Sequence, residues 1–165
     1  MRKEKVYELI GKLTVQFATM EHRLQGLLET LMGNSNTLVG PLFIHNMPLV
    51  ALLRKIRLLS HCRIQNNSEL VLELDRAIKK IDALREERNL LIHGDWKIES
   101  IESHNIKVRD FKMKYENGKW EEFSETEFTE KQLTSLVRRL DGLGNEVDYI
   151  IRKLSEIELN INTCK

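Results

Sequence analysis

Residues 68–96 read SELVLELDRAIKKIDALREERNLLIHGDW. Within them Leu74, Ala77, Ile81, Leu84 and Leu91 fall at helical spacing, so the segment predicts a long helix with one apolar face. Asn66, Asn67, Ser68 and Glu69 open it, and Gly94 suits its end. Arg88 interrupts the apolar row between Leu84 and Leu91. A guanidinium keeps its proton, and burying it without a partner is expensive. Arg88 is therefore expected to face something polar or anionic, or to lie at a seam with another molecule.

On the N-terminal side, Val6, Leu9, Leu13, Phe17, Met20, Leu24, Leu27 and Leu31 recur at three- and four-residue steps, which predicts a long amphipathic helix over about 3–32. His22 is read on its solvated face. Gly33 to Thr37 form a loop, and a short helical turn is expected within 38–46. Asn46 can cap a second long helix with Pro48 in its first turn. Leu49, Leu52, Leu53, Ile56, Leu59 and Ile64 give that helix a buried face; Arg54, Lys55 and Arg57 give it a wet one. On the C-terminal side, Thr129-Glu130-Lys131-Gln132 matches a capping box. Leu133, Leu136, Leu140, Leu143, Val147, Ile150, Leu154 and Ile157 then predict a last long helix. Gly142 and Gly144 weaken it, each by roughly 1 kcal/mol relative to Ala.

Between the last two long helices the period changes. Ile106 and Val108 alternate with polar residues; Phe111, Met113 and Tyr115 alternate one position out of phase, which suggests a bulge near Arg109 and Asp110. Asn117-Gly118 is a two-residue hairpin signal that sets Tyr115 opposite Trp120. A third strand is anticipated between Trp96 and Ile101. The expected architecture is all-α: a four-helix bundle in one domain, residues 1–165, with a β-hairpin inserted at about 97–125.

Composition narrows the function classes. The chain has 165 residues, 41% of them hydrophobic and 31% charged, enough for a core without disulfides or metal. With 26 basic and 25 acidic residues there is no global field for nucleic acid, so contact with RNA must come from a local patch. Cys62 and Cys164 lack paired spacing and are read as reduced thiols of a cytoplasmic protein. Neither a secretory leader nor a membrane-spanning run is expected. His61-Cys62 is discounted as a metal pair because nothing nearby completes a site. No Gly-rich phosphate loop, paired-Cys zinc site or His-Glu-x-x-His helix occurs.

Chemistry gathers at the end of the segment first quoted. Asp82, Glu86, Asn89 and His93 share one helical stripe. Arg88 and His93 stand about 140° apart around the axis, a fixed cation and a titratable base on neighbouring faces. Arg88-Asn89-x-x-x-His93, followed by Gly94 and preceded by acidic residues, resembles the signature of the HEPN superfamily (higher eukaryotes and prokaryotes nucleotide-binding domains). The resemblance spans the helical frame and is motif-sharp over residues 85–96. It implies a metal-independent endoribonuclease without cofactor, acting on RNA as a homodimer with a composite site, with Arg88, His93 and Asn89 as catalytic residues. It also implies a toxin or phage-defence effector, with an antitoxin or regulatory protein as a possible partner. In one branch a tyrosine two residues past the motif His mediates silencing by a nucleotidyltransferase. Asp95 stands there, which argues against that route.

RNA cleavage needs little more than such a set. The ribose 2′-hydroxyl is the nucleophile, an imidazole with an ordinary pKa of about 6.5 moves protons at neutral pH, and a guanidinium fork meets charge building on the phosphate. Two other readings stand beside this one. The first is a non-catalytic HEPN-like module binding a nucleotide or protein in the same groove. The second is a structural helical adaptor, in which Arg88 pairs with Asp82, Glu86 or Glu87 and His93 caps the helix.

Overall fold

Leu74, Ala77, Ile81, Leu84 and Leu91 are all buried, and the helix that carries them runs Ser68–His93. The computed structural model describes residues 3–33, 39–64, 66–96, 105–110, 115–116, 119–120 and 125–157. Its helices are α1 (Lys3–Met32), α2 (Val39–Ile44), α3 (Leu49–Arg63), α4 (Ser68–His93) and α5 (Glu130–Ser155). Among the described residues, five short strands lie between α4 and α5: β1 (Asp95–Trp96), β2 (Asn105–Arg109), β3 (Tyr115–Glu116), β4 (Lys119–Trp120) and β5 (Glu125–Thr129). The chain is mostly helical with a small three-stranded antiparallel sheet.

The helix starts follow local chemistry. Asn67 Oδ1 accepts from the Leu70 N–H at 3.1 Å and caps α4. The capping box of α5 forms in full: the Gln132 N–H donates to Thr129 Oγ1 at 3.2 Å, and the Thr129 N–H donates to Gln132 Oε1 at 2.7 Å. The expected Asn46 cap does not form. Asn46 sits at φ 62, a left-handed position that Asn tolerates in turns. Pro48 is the N-cap of α3 instead, without a side-chain cap bond. α5 stops at Ser155, short of Ile157.

The chain divides into two compact units. The unit formed by Phe17–Ala83 and Leu140–Lys165 carries helices and no strand among its described residues. Its interior includes Phe17, Met20, Leu24, Leu52, Ile56, Leu74, Ile81, Val147 and Leu154. Side chains bind its helices to one another: Arg23 Nε to Asp148 Oδ1 at 3.2 Å, Arg57 Nε to Asp75 Oδ1 at 3.2 Å, and Lys80 Nζ to Glu146 Oε1 at 2.9 Å. Gly144 lets the Arg23 guanidinium lie across α5, since a Cβ there would collide with it.

The unit formed by Met1–Gln16 and Leu84–Arg139 holds the strands. Among its described residues, Val6, Leu9, Leu13, Leu84, Leu91, Ile106, Val108, Phe128, Leu133 and Leu136 are buried and apolar. The sheet order is β1-β2-β5, antiparallel throughout. Ile106 faces Phe128, and Trp96 and Thr126 flank Val108. One sheet face is therefore apolar, while Lys107, Arg109, Glu125 and Glu127 share the other.

The inserted β element differs from the expected hairpin. It begins at Asp95 and ends at Thr129, wider than 97–125, and β2 pairs with β5 rather than across a turn at Asn117-Gly118. Two anchors explain why the chain turns back early. Trp96 Nε1 donates to the Leu91 carbonyl at 2.9 Å, and Gly94 admits β2 at the helix end. The expected Tyr115–Trp120 pair exists as the separate β3–β4 ladder; the Asn117-Gly118 turn lies outside the described residues. The β2–β5 ladder is unbroken from Asn105 to Arg109, and the expected phase shift past Asp110 falls on residues 111–114, also outside them.

Candidate functional site

The last turns of α4 and the sheet edge enclose one groove of about 820 Å³. Glu86, Glu87, Asn89, Leu90 and His93 line it from the helix; Asp110, Thr126, Glu127, Phe128 and Gln132 line it from the other side. All of these residues belong to the strand-bearing unit.

Gly94 is the residue that brings the two sides together. Its N–H donates to the Leu90 carbonyl at 2.9 Å, as a further helical turn would. A Cβ at this position would strike the Leu90 carbonyl and the Val108 side chain and would come within 3.0 Å of the Arg109 carbonyl. The glycine thus serves close approach of β2 rather than a left-handed helix stop.

His93 is exposed on the groove. Asn89, one turn earlier and partly buried, lines it too. Arg88 does not. Its Nε is shielded from solvent, and its Nη1 donates to Asn89 Oδ1 at 3.0 Å. With that oxygen turned to Arg88, the Asn89 NH₂ group is the donor that can meet a ligand. The three motif residues therefore divide: Asn89 and His93 face the groove, and Arg88 stands behind Asn89 and orients it.

The walls carry charge in pairs. Arg139 Nη1 donates to Glu87 Oε1 at 3.2 Å. Lys107 Nζ bonds Glu127 Oε1 at 3.0 Å, and Asn105 Nδ2 donates to Glu127 Oε2 at 3.3 Å. Lys107 and then Asn105 hold the Glu127 carboxyl below the usual carboxylate range, and Glu127 and Glu125 raise Lys107 above the usual ammonium range. Gln132 Oε1 is spent on the helix cap. Glu86 Oε1 likewise accepts from Arg85 Nη2 at 3.2 Å, and the Glu86 side chain is 74% exposed. Among the described residues no lysine or arginine lines the groove.

Sequence reasoning selected Arg88, Asn89 and His93 but missed the opposite wall. Thr126 and Phe128 alternate with Glu125 and Glu127, a strand signal only five residues long and mostly polar, which the stronger capping box at Thr129 overshadowed. His61 has a structural role: its Nε2 lies 3.0 Å from Asp75 Oδ2. Among the described residues, no group of three His, Cys, Asp or Glu side chains could hold a metal ion. Likewise no described helix is long and apolar enough to cross a membrane. A second groove of about 430 Å³ includes Arg76, Lys80, Asn145, Glu146 and Tyr149; among the described residues no histidine or cysteine lines it. Compared with known proteins, the chain matches no family model, no curated protein and no solved structure.

Proposed function

We propose that the chain is a metal-independent endoribonuclease of HEPN type, active as a cytoplasmic homodimer and serving as a toxin or defence effector under the control of a partner protein. The observation that carries this reading is the shared groove of Asn89 and His93, with the Arg88 guanidinium bonded to Asn89. In the proposed reaction His93 takes the proton from a ribose 2′-hydroxyl, and the freed oxygen attacks the adjacent phosphorus. The bond to the 5′-oxygen breaks, and an imidazolium, supplied by the second protomer's copy of His93, returns a proton to the leaving oxygen. The Asn89 NH₂ group donates to a phosphate oxygen as charge develops, and Arg88 strengthens that donor from behind.

A second reading, a binding module without catalysis, draws support from the lining itself. Glu86, Glu87, Asp110 and Glu127 border the groove, and carboxylates repel a phosphate backbone. Purified protein incubated with single-stranded RNA separates the two. The nuclease reading expects cleavage that falls at least about 100-fold in His93→Ala and in Arg88→Ala, while circular dichroism stays helical. An RNA left intact by the wild type at every concentration tested favours the module. Light scattering checks the assembly: a strict monomer with full activity contradicts the dimer.

A further inference from the structure

We infer that Thr126 completes the proposed site from the far wall. Its hydroxyl donates to the nonbridging phosphate oxygen opposite the one that Asn89 meets. The inference rests on the ribonuclease reading and adds a catalytic residue to it.

Most of the groove's polar lining is already committed. Glu86 accepts from Arg85 and Glu87 from Arg139, each at 3.2 Å. Lys107 and Asn105 engage both oxygens of Glu127, and Asp110 is engaged as well. Glu86, Glu87 and Glu127 thus each have a cation beside the carboxylate, which offsets their repulsion of a phosphate. Gln132 Oε1 closes the cap of α5. Among the described residues, the groups still open to a ligand are the Asn89 NH₂ and the His93 ring on the helix wall, and the Thr126 hydroxyl and the Gln132 NH₂ on the other.

Register decides between the last two. Thr126 pairs with Val108, and Val108 Cγ1 fills the space where a side chain at Gly94 would start. Gly94 directly follows His93. Register partners project to the same sheet face with Cβ atoms about 5 Å apart. One strand's width therefore separates Thr126 from the residue that abuts the end of α4. A phosphate with a hydrogen bond of about 2.8 Å on either side bridges such a gap. Gln132 lies past the cap, in the first turn of α5.

Thr126 also stands out on its own face of the sheet. Its neighbours there are Trp96, Ile106, Val108 and Phe128, and none of them carries a hydroxyl. Valine has nearly the same shape and the same liking for strands, so packing does not call for the oxygen. A neutral donor aimed where charge builds on a phosphate strengthens most in the transition state.

Thr126→Val removes the hydroxyl and keeps the branched shape. Its kcat on an oligoribonucleotide is expected to fall at least about tenfold, with KM within about twofold of wild type. Thr126→Ser, which keeps the hydroxyl, should cut at least about fivefold faster than Thr126→Val. Phosphorothioate linkages locate the contact, because sulfur accepts hydrogen bonds poorly. The wild type should be slowed on both diastereomers at the cut position, one through Asn89 and one through Thr126; Thr126→Val should be slowed on only one. A folded Thr126→Val that cuts within about twofold of wild type overturns the inference and leaves the nuclease reading standing. So does a wild type slowed on one diastereomer or on neither, a result that stands even where Thr126→Val fails to fold. No cleavage of any RNA by the wild type removes both.

Discussion

Residues 68–83 of α4 and residues 84–93 solve the same problem differently. The first stretch buries Leu70, Leu74, Ala77, Ile78 and Ile81, and its Asp75, 15% exposed, is met by Arg57 and His61 of α3. That charge ties one helix to another. In the second stretch the apolar row breaks at Arg88, whose guanidinium bonds the adjacent Asn89, and the helix ends at a glycine that admits a strand. Here the polar groups are turned toward a groove. A partly buried ion pair between helices reads as architecture; an arginine orienting its neighbour at the rim of a groove reads as a site.

The contrast can be broken at several points. Gly94→Ala is expected to have the largest effect, about 1–3 kcal/mol of lost stability, because the new methyl group meets backbone oxygens that cannot swing away. Calorimetry should show the melting temperature falling by several degrees. Any RNA cleavage should fall too, since β2 must shift and β5, paired to it, forms the far wall. A variant as stable as the wild type contradicts this account of Gly94.

Asp75→Asn should cost less, about 1 kcal/mol, because the amide keeps a hydrogen bond to His61 while the ion pair with Arg57 is lost. The same variant should cleave RNA at the wild-type rate, since Asp75 contributes to no part of the groove. A cleavage defect without a stability defect would erase the distinction between the two stretches of α4.

The smallest effect is a pH dependence at the sheet. Glu127 has a depressed pKa, so its contribution is present above the unfolded value and is lost as pH falls through the lower folded one. Lys107 has a raised pKa, so its contribution holds below the unfolded value and is lost as pH rises through the higher folded one. Both groups are exposed, and the effect on stability is correspondingly slight. Side-chain NMR should show Glu127 titrating below an ordinary glutamate, and Lys107→Met should move it back up.

Much of this was legible in the residues. The apolar rows of α1, α4 and α5 are long and periodic, and every residue assigned to the α1 row is buried. The Thr129–Gln132 cap is a purely local motif, and it formed. What escaped is non-local. The pairing of residues 105–109 with 125–129 leaves no mark in either five-residue segment, so the wall formed by Thr126, Glu127 and Phe128 could not be drawn. Gly94 reads in the sequence as a helix stop, while the structure adds a constraint from Val108 and Arg109, beyond the turn. For the site, the motif selected Arg88, Asn89 and His93 together. Their division into two groove residues and one supporting cation depends on side-chain reach, which spacing does not encode.

The central claim is that His93 and Asn89, backed by Arg88, cut RNA through its own 2′-hydroxyl. The most direct measurement is cleavage of an oligoribonucleotide in EDTA, beside the same oligonucleotide with one 2′-deoxyribose at the cut position. The account predicts cleavage of the first, leaving a 2′,3′-cyclic phosphate and a free 5′-hydroxyl, and no cleavage at the substituted position of the second. Cutting the deoxy linkage equally well, or only when magnesium is restored, contradicts it.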